Sequence, residues 1–172
     1  MNGNPTIPTP VNDPILTYAP GTLERAELQA ELEVQSTTVV DIPLVIGGEE
    51  IRTGNTRNVV MPHAHSHVLA TVHQAGTKEI GQAVSAAAGA HHEWSTTHWE
   101  DRAAIFLRAA DLLAGPWRQK LNAATMLGQS KTAFQAEIDS ACEIIDFFRF
   151  AAHFAERIYG MQPLSERGVW NR

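Results

Sequence analysis

The chain has 172 residues, of which 44% are hydrophobic and 19% charged, with a formal net charge of -6. This is ordinary usage for one globular domain and excludes collagen-like and wholly disordered classes. The acidic balance argues against a protein whose main task is gripping nucleic-acid backbones, because such domains are usually basic.

Residues 1–21 carry Pro5, Pro8, Pro10, Pro14 and Pro20 among small polar residues. Proline removes a backbone donor and disfavours helix in the residue before it, so an extended arm is expected here rather than core. The first five residues lack the basic and apolar parts of a secretory signal and the arginines of a transit peptide. No stretch reaches the ~20 apolar residues that span a bilayer, so a soluble cytoplasmic chain without a membrane partner is the expectation. A short helix from Gly21-Thr22 to about Glu33 places Leu23, Ala26, Leu28 and Leu32 roughly on one side. The arm and this helix form an N-terminal unit over 1–36.

From Thr37 the texture becomes β-branched. Val39 to Ile46, the Gly47-Gly48 turn, Glu50 to Arg52, Asn58 to Met61 and His67 to Val72 predict a small antiparallel β element over 42–73. After Gly76 the pattern is helical to nearly the end, over 77–160. Thr77 to about Trp94 carries Ile80, Val84, Ala87, Ala88 and His91 at helical spacing. Thr97-His98-Trp99-Glu100 has the form of a capping box and opens a second helix, which Gly115-Pro116 breaks. A third helix, with Pro116 suited to its first turn, is expected to stop at Gly128. The last helix runs from about Thr132 to Tyr159 and spans about 42 Å at 1.5 Å per residue. Its apolar stripe is Phe134, Ile138, Ala141, Ile145, Phe148, Ala152, Ala155 and Tyr159. A second stripe, Phe147, Phe150, Phe154 and Ile158, demands partners on another side.

Several residues suggest chemistry. His63, His65 and His67 alternate as strand ligands would, yet no carboxylate or cysteine lies near to complete a metal set, so a solvated hairpin loop is the simpler reading. His91, His92 and His98 are read the same way. Gly128-Gln129-Ser130-Lys131-Thr132 lacks the glycine spacing of a phosphate loop. The single cysteine, Cys142, excludes an internal disulfide and fits a reducing compartment. Mid-helix and without a nearby histidine, it reads as a small buried residue rather than a nucleophile. Glu143 is more informative. It lies one turn before Phe147, on the second aromatic stripe, and its neighbours Asp139, Ser140, Asp146 and Phe147 include no cation. It therefore needs a partner from elsewhere: a distant arginine, solvent, or the ammonium of a ligand.

The run Asp101 to Pro116, the segment Thr125 to Thr132 continuing through Gln135 to Asp139, and Glu143 to Phe150 resemble the aldehyde dehydrogenase superfamily. Within it they resemble the 1-pyrroline-5-carboxylate (L-glutamate γ-semialdehyde) dehydrogenases. The likeness runs from about Val11 to the end and includes Glu24-Arg25 and the Gly47-Gly48 turn. It implies an α/β family fold, of which this chain supplies a mainly helical part with a small N-terminal antiparallel β element. Residues 37–172 would then be the leading part of the NAD-binding domain. The implied activity is NAD-dependent oxidation of L-glutamate γ-semialdehyde to glutamate in proline catabolism, by a homo-oligomer when full length. The resemblance places Glu143 at the carboxylate that meets the substrate's α-amino group, with Phe147 and Phe148 beside it. The family's nucleophilic cysteine, general base and NAD loops match nothing in this chain. No catalytic, cofactor-binding or metal-binding residue is assigned, and the chain alone is expected to be inactive. The rival reading is a non-catalytic helical module that binds a separately encoded partner chain.

Overall fold

The computed structural model describes residues 6–172, so Pro5 of the expected arm and the start Met1–Pro5 lie outside the described residues. The arm from Thr6 to Ala19 is extended, as its prolines dictate. It does not stay outside the core: Asp13 and Tyr18 are buried. Tyr18 adopts φ 53°, a strained left-handed conformation for a bulky residue, held by the burial of its ring and hydroxyl.

Helix α1 spans Leu23–Thr37, ending four residues later than the sequence pattern indicates. Strand β1 (Val40–Ile42) is separated by Pro43 from β2 (Leu44–Ile46), and the two enter different sheets. β2 pairs antiparallel with β3 (Glu49–Ile51) across Gly47-Gly48, both at positive φ. β4 (Thr56–Met61) pairs antiparallel with β5 (Ala64–His73). β1 lies parallel to β5, Val40 opposite Ala70, which departs from the purely antiparallel expectation. The reason is Pro43: it ends one strand and redirects the chain, so the Val39–Ile46 run cannot fold back as one hairpin arm.

Helix α2 spans Thr77–Thr96 and has no buried residue; Ile80 and Val84 of its expected stripe are exposed. Helix α3 spans Trp99–Ala114 with His98 as N-cap. The expected capping box at Thr97 does not form, because the Thr97 hydroxyl donates backwards to the Glu93 carbonyl at 2.8 Å. Helix α4 spans Arg118–Gln129, starting two residues after Pro116. It ends not at Gly128 but at Ser130, which takes the left-handed conformation at φ 58°.

The last helix begins with α5 (Ala133–Ala136), continues as a π turn over Glu137–Cys142 and ends as α6 (Glu143–Gly160). Thr132 caps it as expected: its hydroxyl accepts from the Gln135 N–H at 3.3 Å, and the Gln135 side chain accepts from the Thr132 N–H at 3.0 Å. The π turn breaks the expected stripe. Phe134 is exposed, and Ala136 and Glu137 are buried in its place. One extra residue in a turn shifts the upstream face by about 100° relative to the downstream one.

Two small cores result. Tyr18, Leu28 and Ala123 join the arm, α1 and α4, while Ala110, Ala141 and Ile145 join α3 to the π turn and α6. Among the described residues, no helix is long and apolar enough to cross a membrane. The accessible surface is 12077 Å². A self-contained monomer of 18.8 kDa would expose about 8,300 Å². The exposed residues include Phe147, Phe154 and Ile158, so among the described residues most of the second stripe is uncovered.

Candidate functional site

The arm runs antiparallel to the last helix and is held by three of its carboxylates. Glu156 accepts the Ile7 N–H at 2.9 Å, Asp146 accepts the Asp13 N–H at 2.7 Å, and Glu137 accepts the Leu16 N–H at 2.8 Å. A proline-rich extended chain has no internal hydrogen bonds, so its remaining N–H groups are free to be taken this way.

Glu137 is the centre of a buried network. It is fully enclosed, accepts from the Tyr18 hydroxyl at 2.7 Å and from the Asn122 amide at 2.8 Å, and forms a two-pronged ion pair with Arg118. Arg118 also donates to Asp13 at 2.5 Å and to the Pro14 carbonyl at 2.8 Å, and Arg149 closes the chain on Asp13 at 2.6 Å. Burial alone would raise the Glu137 carboxyl, but Arg118, the Leu16 N–H, Tyr18 and Asn122 outweigh it and hold it below the ordinary carboxylate range. Burial, followed by the Glu137 hydrogen bond and charge, pushes the Tyr18 hydroxyl up. The Arg118 guanidinium is raised despite burial, because Glu137 and Asp13 favour its charge. Sequence reasoning missed all six of these side chains. Glu137 was hidden by the assumption of unbroken α-helical period, and Arg118 lies 105 positions from Asp13.

Cys142 Sγ accepts from the same cation, 3.3 Å from Arg118 Nη2. Residues five apart share a face in a π turn, which is why Glu137 and Cys142 both reach Arg118. The thiol is buried and pushed up to about 11, first by burial and then by the Glu137 charge. A protonated, enclosed thiol is no nucleophile at neutral pH.

Two of the histidines singled out in the sequence have ordinary partners. His63 sits in the β4–β5 turn with Nδ1 2.7 Å from the Ser130 hydroxyl; His67, on β5 rather than in the loop, places Nε2 2.7 Å from the Ser36 carbonyl oxygen. Among the described residues no three His, Cys, Asp or Glu side chains converge as a metal site.

Glu143, Phe147 and Phe148 separate into two environments. Glu143 and Phe147 are exposed and one turn apart on α6; Phe147 is 62% exposed. Phe148 is half-buried against the α3–α6 core, 5.6 Å from the Phe106 ring. Both phenylalanines line an open aromatic groove of about 540 Å³ with Trp94, Trp99 and Tyr159, and Glu143 stands just outside that lining. Every other acid on 137–156 has a partner among the described residues: Glu137 has Arg118, Asp139 has Lys131 at 2.7 Å, and Asp146 and Glu156 have the arm. Glu143 alone makes no ion pair or side-chain hydrogen bond among the described residues.

Residues 51–171 match the aldehyde dehydrogenase family. The chain belongs to that family. It is 49% identical over 168 residues to a delta-1-pyrroline-5-carboxylate dehydrogenase of Agaricus bisporus, covering 96% of this chain and 31% of the relative. To the mitochondrial enzyme of that name from Dictyostelium discoideum it is 45% identical over 166 residues, covering 96% and 30%. The crystal structure of delta-pyrroline-5-carboxylate dehydrogenase from Mycobacterium tuberculosis bound with NAD superposes with a TM-score of 0.96 at 47% identity, covering 100% of this chain and 32% of that one. The chain thus spans about three tenths of the length of these aldehyde dehydrogenases.

Two glycine turns of the chain are not free to take the phosphates of a dinucleotide. Phosphates of such a cofactor settle on free N–H groups at a helix N-terminus behind a glycine turn. The Gly76 N–H at the head of α2 is already given to Glu79 at 2.8 Å, and Gly47-Gly48 joins two strands. No step of chemistry is therefore assigned to NAD within these residues.

Proposed function

We propose that residues 1–172 form the leading part of an NAD-dependent L-glutamate γ-semialdehyde (1-pyrroline-5-carboxylate) dehydrogenase and contribute its recognition of the substrate's amino-acid end. The unpartnered Glu143 carries this reading: an exposed carboxylate on an aromatic stripe is suited to an ammonium group. The substrate has an ammonium and carboxylate at one end and the aldehyde at the other. Holding the ammonium at Glu143 orients the aldehyde toward a nucleophile supplied by the rest of the enzyme. Phe147 contributes an apolar wall one turn away; Phe148 supports that wall from the α3–α6 core. Phe148 is thus a support more than a contact. Nucleophile, base and NAD loops belong to the remaining length of the family enzyme, so this chain alone is inactive, and the full enzyme is a homo-oligomer.

The test is an enzyme in which residues 1–172 replace the matching third of the Mycobacterium tuberculosis relative. A charge-assisted hydrogen bond to the ammonium makes Glu143→Gln lower kcat/KM for glutamate semialdehyde by about ten- to a hundredfold. Propanal, which has no ammonium, should be affected far less. Equal losses on both substrates would overturn the reading, as would a folded graft that turns over propanal and not glutamate semialdehyde.

A further inference from the structure

Glu143 can meet a ligand only if α6 presents it outward, and its outward phase is set before it. The π turn ends at Cys142, immediately before Glu143. At the entry to that turn the buried face is Ala136 and Glu137; downstream it is Ile145 and Ala152. In an uninterrupted α-helix, positions 137 and 142 lie about 140° apart and could not both face Arg118. They do so here because the turn is widened. A π turn has poorer packing than an α turn and persists where side chains hold it. Those side chains are identifiable. Arg118 is clamped between Glu137 and Asp13 and donates to Cys142 Sγ, and Tyr18 and Asn122 donate to Glu137 Oε2.

On the far side, Ile145 packs on Ala110 of α3. The helix is thus locked at two faces by two different cores, and the extra residue reconciles them. Closing the π turn to α geometry would rotate one part by about 100° against the other. With α6 fixed on α3, Glu137 would leave Arg118. With Glu137 fixed, α6 would swing Glu143 and Phe147 off the outward face.

We propose that the Glu137–Arg118 pair and the π turn it holds are a positioning device for the substrate-recognition face, setting the helix phase at which Glu143 and Phe147 stand outward one turn apart. Glu137 touches no ligand and acts through Glu143. The proposal rests on the reading of Glu143 given above.

The experiment is a double-mutant cycle in the grafted enzyme, with kcat and KM measured on glutamate semialdehyde and on propanal, and melting followed in parallel. Glu137→Gln keeps the shape and loses the charge. It should raise KM for glutamate semialdehyde about tenfold while kcat on propanal stays within about twofold. Glu143→Gln should show the larger loss, and the double variant should be no worse than Glu143→Gln alone, because a device that acts through Glu143 has nothing left to position. Losses that multiply in the double variant, or equal losses on both aldehydes, overturn the proposal and make Glu137 merely structural. If Glu143→Gln has no effect while Glu137→Gln does, the reading of Glu143 fails instead. Should Glu137→Gln not fold, Tyr18→Phe removes one donor to the same carboxylate, and about a threefold rise in KM is expected from one lost hydrogen bond. Hydrogen exchange on the 172-residue chain gives a readout independent of activity. Amides of 138–147 should exchange faster in Tyr18→Phe while those in the middle of α3 do not, and unchanged protection of 138–147 overturns the proposal.

Discussion

Consider Glu137→Met, read by stability rather than by turnover. The wild-type carboxylate is 0% exposed and satisfies Arg118, the Leu16 N–H, the Tyr18 hydroxyl and the Asn122 amide. Removing it leaves Arg118 with Asp13 and the Pro14 carbonyl, still 5% exposed. Breaking one side of a buried ion pair costs about 3–5 kcal/mol. At roughly 2–4 °C per kcal/mol for a chain of this size, the melting temperature should fall by about 10 °C. Arg118→Met should cost a similar amount for the mirror-image reason. The double variant Arg118→Met/Glu137→Met leaves no unpaired charge between the two positions, so its loss should be well below the sum of the singles. A residual of about 1–3 kcal/mol is expected from the orphaned Leu16 N–H, since the Tyr18 hydroxyl keeps Gln119 as its acceptor at 3.1 Å.

Urea unfolding followed by far-ultraviolet circular dichroism measures all three variants. The acid limb adds a second check. Glu137 sits below the ordinary carboxylate range in the folded chain, where Arg118 and three neutral donors overcome burial. Its contribution is therefore complete above the unfolded value of about 4.3 and is lost as pH falls through the lower folded value. Glu137→Met should flatten the stability profile in that acid window and leave its slope between pH 6 and 8 unchanged. Single variants costing under about 1 kcal/mol, or strict additivity in the double, would refute the picture of a closed buried pair.

Cys142 should resist alkylation at pH 8 in the folded chain and react on unfolding; rapid native labelling would refute its enclosure. Its thiol, raised to about 11 by burial and then by Glu137, contributes stability that is complete below the unfolded value near 8.5 and lost as pH rises toward 11, a loss that Cys142→Ala should reduce. The uncovered stripe of Phe147, Phe154 and Ile158 should make the 172-residue chain bind a hydrophobic dye or self-associate, with Phe154→Ser and Ile158→Ser reducing both. A dye-silent monomer with a sharp cooperative melt would refute this.

The element order was legible from the sequence because each helix announces itself by period and by Gly, Pro or Thr at its ends. Where the reading failed, longer-range contacts decided. Pro43 was visible, but the parallel docking of Val40–Ile42 on β5 depends on a strand about thirty residues away. Thr97 was a good capping residue on local grounds and was taken instead by the preceding turn, whose Glu93 carbonyl accepts both its N–H and its hydroxyl. The arm was correctly extended, yet its burial could not be read, since the acids that hold it lie 121 to 149 positions downstream.

The candidate site divides along the same line. Glu143 was legible because the test applied to it was local: no cation stands within a turn of it, and the structure supplies none from afar. By that same test Glu137 and Asp139 also lack a cation within a turn, whereas Asp146 has Arg149 three positions on. What separates Glu143 from Glu137 and Asp139 is that Arg118 and Lys131 answer their charge from farther away, and among the described residues none answers Glu143. The π turn sets the phase of this division. Two acids six positions apart on one helix face different ways: Glu137 turns inward onto Arg118, and Glu143 turns outward beside Phe147. A helix read as one uninterrupted 3.6-residue period puts the buried face at Phe134 and Ile138 and passes over Glu137. The residue that the pattern hides is thus the one that sets the phase of the residue it reveals.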